Sequence, residues 1–297
     1  MRISIVIVTY NSEETINRCI ESIIRNNDIG NELEIIVSDN NPLNRGYLSG
    51  LKSHFKFENL QVILNPRNGG FGYGNNRGIN VSKGDILFFL NPDTVIKKIS
   101  FRRIIKFYER NNSLLTFKSN NNLIFNPEIV FYLPYGILRD LVKNLIIKLL
   151  CSRSKGYTRI PNIFYAMGSA FAIKKEVFAS IGFFDEELFM YGEELSIKYR
   201  LQDRNNYSLY MDNEALIVHE GGVSTGKNEN TEKYRSFRDE NISKSMKVNL
   251  IKYGKRGVAK RMLIGYKVEH LIRRIMSKDT QNVDNKIKLL KDIIKEF

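Results

Sequence analysis

The segment GDILFFLNPDTVI, residues 84–96, decides how this chain is read. Ile86-Leu87-Phe88-Phe89-Leu90 is an unbroken apolar run, the pattern of a strand covered on both faces. The chain then turns polar at once in Asn91-Pro92-Asp93-Thr94. One reading is turn chemistry, with Asp93 starting the next helix as its N-cap. The other places Asp93 at the carboxyl edge of a sheet, where open α/β folds bind ligands.

The flanking sequence repeats the pattern. Ile3 to Tyr10, Glu34 to Ser38 and Gln61 to Leu64 are further strand candidates, each followed by Asn or Asp. Ile16, Cys19, Ile20, Ile23 and Ile24 recur at helical spacing after the first. A helix after the third starts near the glycines of GGFGYGNNRGI, residues 69–79. Strands alternating with helices over about 100 residues imply βαβ units and a mostly parallel sheet flanked by helices. Its polar strand ends collect along one edge, as a nucleotide site requires. Farther on, NLIFNPEIVFYL (122–133) lies among Asn-rich loops, and ILRDLVKNLIIKLL (137–150) has the apolar pattern of an amphipathic or buried helix. Residues 166–173 are a strand candidate, 174–178 begin a helix, and 207–211 and 215–219 are two short strands. From Gly221-Gly222 onward the pattern is helical, with Met246, Leu250, Tyr253, Val258, Met262, Ile264, Val268, Leu271 and Ile275 at roughly helical intervals.

With 297 residues, 42% hydrophobic and 26% charged, the chain suits one large domain or a domain with an appendage. Cys19 and Cys151 are far apart and match no metal spacing, so a reducing compartment without a disulfide framework is expected. The start, MRISIVIVTYNSEE, has the pattern of a first strand, not of a signal peptide. No apolar run approaches the roughly 18 residues needed to span a bilayer. The net charge is +14, and from Thr231 onward there are 18 Lys and Arg against 8 Asp and Glu. This tail is either a solvated helical surface or a surface drawn to anionic lipid or nucleic acid. Aromatics are not interleaved with its basic residues in a stacking pattern, which speaks against nucleic acid.

Six segments in order carry a resemblance: SIVIVTYN (4–11), EIIVSDN (34–40), NPRNGGFGYGNNRGI (65–79), ILFFLNPDT (86–94), GSAFAIKKEVFASIGFFDEELFMYGEE (168–194) and VHEGG (218–222). Together they resemble the inverting glycosyltransferases of family 2, which have the GT-A type of nucleotide-sugar fold, in the rhamnosyltransferase and galactofuranosyltransferase branch. The resemblance implies a Rossmann-like nucleotide-binding half over residues 1–100, an acceptor and catalytic half over 101–225, and a basic helical extension over 226–297.

Each candidate site residue has a physical reading beside the resemblance. Thr9, Tyr10 and Asn11 end the first strand, where they can face a base and ribose, or Asn11 or Ser12 can cap the next helix. Asp39 can accept a hydrogen bond from a pyrimidine N–H or form an Asx-turn. Gly69, Gly70, Gly72 and Gly74 allow close backbone approach to a ligand, or make a flexible turn. The sequence is neither a Walker loop nor a clear dinucleotide fingerprint. The resemblance puts Thr9, Tyr10 and Asp39 on the nucleotide and Asn68 and Gly70 against the nucleotide sugar. It also implies an Asp-X-Asp triplet for a divalent cation, Mn²⁺ or Mg²⁺, where this chain has Asn91-Pro92-Asp93. One carboxylate plus phosphates suffices for a hard cation, with Asn91 reaching ribose or water. His219 is implied near the metal and pyrophosphate, and an imidazole tilts the choice toward Mn²⁺. The catalytic base maps to Glu194, where the family pattern has Asp, with Glu193 beside it; without the motif both read as acids favoured at a helix start. The pattern's further Asp is Ser196 here. Asp185 is a secondary candidate, shaping the acceptor side or capping a turn.

The resemblance implies a dTDP-sugar or UDP-sugar donor, with dTDP-L-rhamnose first and UDP-galactofuranose or another UDP-hexose next. It implies a lipid-linked oligosaccharide acceptor for bacterial surface polysaccharide, O-antigen or capsule. The expected location is the cytoplasm, peripheral on the inner face of the membrane, where a basic amphipathic tail would be useful. The Asn91 and Ser196 departures also permit a nucleotide-sugar-binding protein without catalysis.

Overall fold

Ile3–Thr9 (β1) is the strand around which the sheet is built. Its Ile, Val and Thr side chains are stiff at χ1 and suit a pleated surface. All of its residues except Val8 are buried, as a strand covered on both faces requires. The computed structural model describes residues 1–119, 125–127, 145, 155–219 and 232–297. Of the expected features, the rest of 122–133 and 137–150, Cys151, Gly221-Gly222 and the boundary at 225 lie outside the described residues.

Leu33–Asp39 (β2), Leu60–Leu64 (β3) and Ile86–Leu90 (β4) join β1 in the order β3-β2-β1-β4, all parallel. Helices Ile16–Arg25 (α1), Leu51–Phe55 (α2) and Gly70–Val81 (α3) lie between them along the chain. Thr9 pairs with Asp39 and Asp39 with Leu64, so the polar strand ends share one edge. The strands alternate between two cores, as the period of two demands. Ile5, Ile7 and Phe88 pack with Ile20, Ile23, Phe101 and Ile104 on one face. Val6 and Phe89 pack with Ile79, Phe171, Phe178 and Ile197 on the other.

The second half is mixed. It comprises Thr94–Lys98 (β5), Phe101–Tyr108 (α4), Leu114–Ser119 (β6), Phe125–Pro127 (β7), Tyr157–Ile160 (β8), Phe164–Ala166 (β9), Ala170–Lys174 (β10), Lys175–Ser180 (α5), Glu193–Asp203 (α6) and Leu209–His219 (β11). The sheet continues β4-β10-β6-β11-β5, with β8 also on β11, while β7 and β9 form a separate ribbon. β5, β8 and β10 run against the other strands of the nine-stranded sheet. Glu232–Lys252 (α7), Arg256–Ile275 (α8) and Gln281–Lys295 (α9) follow, with their own core of Leu250, Val258, Met262, Leu290 and Ile293.

Three local expectations are corrected. Asp93 caps no helix, because Thr94 enters β5. The two short strands at 207–211 and 215–219 are one strand, β11, whose register shifts between Asp212 and Leu216. The strand expected at 166–173 is split between β9 and β10, because Met167 to Ser169 leave the ladder.

The glycines of α3 do packing work. A Cβ on Gly74 would lie 2.7 Å from Val8 Cγ1, and one on Gly78 would lie 2.4 Å from Val6 Cγ1. Four residues apart, they share one helix face and let α3 settle directly onto β1.

Candidate active site

Asp39 ends β2 with no exposed surface. Its Oδ1 accepts from Thr9 Oγ1 at 2.8 Å and from Tyr47 Oη at 3.1 Å. Its Oδ2 accepts from the Asn41 N–H at 3.2 Å, so the Asx-turn reading is met. Burial raises the Asp39 pKa, and these hydrogen bonds together with Arg45 offset part of that rise. Burial pushes the Tyr47 phenol up to about 12, so it remains a donor at neutral pH. A carboxylate offers about four lone-pair positions, which leaves Oδ2 one acceptor position. Tyr10 is 41% exposed. Asn11 adopts φ 51° and accepts from Asn41 Nδ2 at 2.6 Å. Neither Asn11 nor Ser12 caps α1 with its side chain; Thr15 holds the N-cap position. Tyr47 and Asn41 belong to this cluster without any sequence signal that marks them.

Asn68 and Gly70 are committed to the protein itself. Asn68 Oδ1 accepts from the Gly70 N–H at 3.1 Å, and the Gly70 carbonyl accepts from Asn40 Nδ2 at 2.8 Å. Gly70 has φ 91°, and a Cβ there would lie 2.1 Å from the Phe189 carbonyl oxygen. The Phe71 N–H donates to that same oxygen at 2.9 Å. The glycine is needed to join α3 to the segment that leads into α6.

Asn91, Asp93 and His219 meet where β4 ends and β11 ends. Asp93 Oδ1 is buried and has no aligned hydrogen bond among the described residues, yet His219 Nε2 lies 3.0 Å from it. That contact is an ion pair only if the imidazole is protonated. Asn91 Nδ2 lies 3.5 Å from the same nitrogen. If Nε2 carries no proton, its one lone pair faces a carboxylate oxygen, an arrangement that a cation between the two relieves. Two donors on one cation at roughly 2.1 Å each, at right angles, sit about 3 Å apart, so the pair fits a divalent ion. Among the described residues no group of three or more His, Cys, Asp or Glu could hold a metal, and the phosphates of a bound nucleotide are of the right chemistry to complete the ligand set. Cys19 lies below, its Sγ 3.6 Å from the Asn91 carbonyl. Burial and then the Asp93 charge raise its pKa, which makes the thiol inert.

Glu193 and Glu194 open α6. The approach is strained: Tyr191 has φ 69° and Gly192 φ 97°, and a left-handed tyrosine costs about 1–3 kcal/mol. Glu194 is partly exposed, and its Oε1 accepts from the Gly168 N–H at 2.6 Å. Glu193 is 3% exposed, and its Oε1 is buried with no hydrogen-bond partner among the described residues. Burial, and then the Glu194 charge, raise the Glu193 pKa well above the usual carboxylate range. Burial also raises Glu194. Gly168 and Ser169 tie this pair to the Asp93 side, since the Asn91 N–H donates to the Ser169 carbonyl at 3.0 Å. A Cβ on Gly168 would lie 2.3 Å from Glu194 Oε1; the sequence places it within a strand candidate and at the start of a resemblance segment, with no role of its own.

Asp185 faces the C-terminal helices instead of an open site. Tyr253 Oη donates to its Oδ2 at 2.6 Å, and Lys252 Nζ lies 2.9 Å from the same oxygen. Burial acts to raise the Asp185 pKa, but Tyr253 and Lys252 hold it below the usual value. Tyr253 also meets Ser196 Oγ at 2.8 Å. α7 reaches the strained turn too: Ser245 Oγ donates to the Met190 carbonyl at 3.2 Å and Asn249 Nδ2 to the Gly192 carbonyl at 3.0 Å.

A parallel half-sheet with polar strand ends on one edge, continued by a mixed half that ties paired carboxylates to that edge, defines a protein of the GT-A type. The family model described as Glycosyl transferase family 2 matches residues 4–182, and the chain belongs to that family. It is 28% identical over 214 residues to the low-salt glycan biosynthesis hexosyltransferase Agl10 of Haloferax volcanii, covering 68% of this chain and 62% of that protein. It is 32% identical over 117 residues to a poly(ribitol-phosphate) beta-glucosyltransferase of Bacillus spizizenii, covering 39% of this chain and 18% of that one. The chain thus spans less than two thirds of the length of these relatives. Among solved structures it is similar in fold to GalNAc-T7 with UDP, GalNAc and Mn²⁺, with a TM-score of 0.62 at 16% identity, over 99% of this chain and 54% of the other. It is likewise similar to the mannosyltransferase PcManGT of Pyrobaculum calidifontis in complex with GDP-Man and Mn²⁺, with a TM-score of 0.59 at 13% identity, over 98% and 73%.

Proposed function

We propose that the protein is an inverting glycosyltransferase that moves a sugar from a pyrimidine nucleotide-sugar to a lipid-linked glycan in bacterial surface polysaccharide synthesis. dTDP-L-rhamnose is the first donor to test, followed by UDP-galactofuranose and other UDP-hexoses. The observation that carries this reading is the two-residue bridge Gly168-Ser169, which holds the turn of Asn91 and Asp93 with one residue and Glu194 with the other. A donor's diphosphate and a base for its acceptor need to be brought together in this way.

Glu194 is the base. Its Oε1 is fixed by Gly168, which leaves Oε2 to take the acceptor hydroxyl proton as that oxygen attacks the anomeric carbon. The bond to the diphosphate breaks on the opposite face, so the anomeric configuration inverts. Burial strengthens Glu194 as a base by raising its pKa toward the working pH. Glu193, buried behind it, has its pKa raised by burial and by the Glu194 charge, which disfavours a second negative charge beside the base. Asp39, oriented by Thr9, is the acceptor for a uracil or thymine N–H, and because it is fully buried that contact requires the residues covering it to move aside. Asp93 and His219 would hold a divalent cation, Mn²⁺ before Mg²⁺, which when bound offsets charge on the leaving diphosphate. The protein works on the cytoplasmic face of the membrane, where a lipid-linked acceptor is found.

Thermal shift with dTDP-rhamnose, UDP-galactose, UDP-galactofuranose, UDP-GlcNAc and GDP-mannose, each with and without Mn²⁺, tests the donor site. Selective, metal-dependent stabilisation by a dTDP- or UDP-sugar is expected. A response to GDP-mannose alone would refute the role given to Asp39.

A further inference from the structure

α8 carries apolar residues on two opposite faces. Val258, Ala259 and Met262 are buried against α7 and α9. Ile264, Val268, Leu271 and Ile275 are 63%, 38%, 58% and 76% exposed, and Met276 beyond the helix is 46% exposed. Steps of four, three and four residues place the exposed set in one stripe. At about 100° per residue the stripe is roughly 60° wide, roughly opposite the buried face, and about 16 Å long. Single exposed apolar residues are ordinary, but a continuous helical stripe is not.

The charges around the stripe are all of one sign. Lys260, Lys267 and Arg274 recur every seven residues and are exposed, forming a row along one margin of the stripe. The single acid of α8, Glu269, lies toward the buried face and pairs with Arg273 at 2.8 Å. Among the described residues no helix is long and apolar enough to cross a membrane.

We propose that this face of α8 docks the protein onto an anionic lipid surface, with the helix in the interface plane, the stripe toward the acyl chains and the basic row at the headgroups. Charge complementarity selects this occupant. A second copy packing stripe to stripe would bring like-charged rows together, with no acid on either face to offset them. The inference deepens the proposed function, and it rests on that reading only for its biological sense, a lipid-linked acceptor.

Co-sedimentation with vesicles tests it without donor or acceptor, so its outcome is separate from that of the donor assay. The wild-type chain is expected to sediment with phosphatidylcholine vesicles containing phosphatidylglycerol and not with phosphatidylcholine alone. Replacing Ile264→Ser with Ile275→Ser is expected to lower partitioning on the order of tenfold or more. Replacing Lys260→Glu, Lys267→Glu and Arg274→Glu is expected to abolish binding, and the wild type is expected to bind less at high salt. All five positions are exposed, so melting temperatures are expected to hold. The chain has no Trp, so Leu271→Trp supplies a single reporter, whose emission is expected to shift to the blue only with anionic vesicles. Equal sedimentation of wild type and the double serine variant would overturn the proposal. So would absence of binding to anionic vesicles, or a wild-type dimer that Leu271→Asp dissolves while no vesicle binding occurs.

Discussion

Replacing Gly168→Ala isolates the positioning of the proposed base. The new Cβ would sit 2.3 Å from Glu194 Oε1 and 3.2 Å from its Cδ. Ordinary contact begins at 3.4 Å, so the carboxylate must retreat by about 1.1 Å, and a shift of that size costs on the order of a hundredfold in rate. That is about 2.7 kcal/mol of barrier. The clash falls on the far end of a flexible side chain, and the Gly168 backbone is not left-handed, so stability is expected to fall by less than about 1 kcal/mol. Transfer rate, donor affinity and melting temperature would be measured side by side, with the pH profile of kcat. Because Glu194 must be deprotonated to act, the wild-type rate is expected to fall as pH drops through its raised pKa. In the variant, kcat is expected to collapse while donor affinity and melting temperature hold. Full activity with an unchanged pH profile would refute the assignment of Glu194, and a large loss of stability would refute the claim that the strain stays local.

Glu193→Gln tests the raised pKa of the buried acid. A carboxyl whose folded pKa lies above the usual 4.5 destabilises the fold increasingly as pH rises from the unfolded to the folded value, at about 1.4 kcal/mol per unit. The glutamine variant is therefore expected to melt higher than wild type at pH 8 and alike at pH 4; equal melting at both would remove the shift. Gly78→Ala adds a Cβ 2.4 Å from Val6 Cγ1 and is expected to cost about 1–3 kcal/mol by overpacking, less about 1 kcal/mol of helix propensity. Denaturant titration checks it, and a stabilised variant would show that α3 can lift off β1 freely. Asn249→Ala removes the donor to the Gly192 carbonyl and is expected to lower kcat on the order of tenfold with donor affinity unchanged. A parallel loss of donor affinity would show that α7 supports the whole fold and not the turn before Glu193.

The first half of the sheet was legible because β1, β2 and β4 are short apolar runs covered on both faces and followed by polar residues, and because the half-exposed edge strand β3 is bounded by the turn residues Asn65-Pro66. Asp93 was legible because it lies in the polar turn that follows β4, whereas His219 and the Glu193-Glu194 pair were reached through the family resemblance of their segments and not through periodicity. β5, β6 and β8 were not legible, since TVIKK, LLTFKS and YTRI are neither unbroken apolar runs nor strict alternations, and their places depend on β11, 40 or more residues away along the chain. Gly69, Gly70, Gly72 and Gly74 after β3 read either as room for close approach to a ligand or as a flexible turn. Glycine in sequence signals close approach of backbone to something, and only the fold reveals that Gly74 and Gly78 approach β1.

The role of the C-terminal helices was missed for a deeper reason. Apolar periodicity in α7 points to Met246 and Leu250, which pack within the helical appendage. The face that meets the catalytic half is polar: Asn241, Ser245 and Asn249 are buried at steps of four residues, and Tyr253 continues the row. A hydrophobic-period reading cannot see such an interface. It also gives Ser196 a physical rationale. The Tyr253 phenol has a single proton, and it goes to Asp185 at 2.6 Å while Ser196 Oγ approaches the same oxygen at 2.8 Å. A hydroxyl can donate to that phenolic oxygen. An aspartate at 196 could not donate when ionised, and it would set a second carboxylate against the first over one proton. The departure at Ser196 therefore does not point to lost catalysis; it is what allows α7 to lock onto α6 beside the residues proposed to do the chemistry.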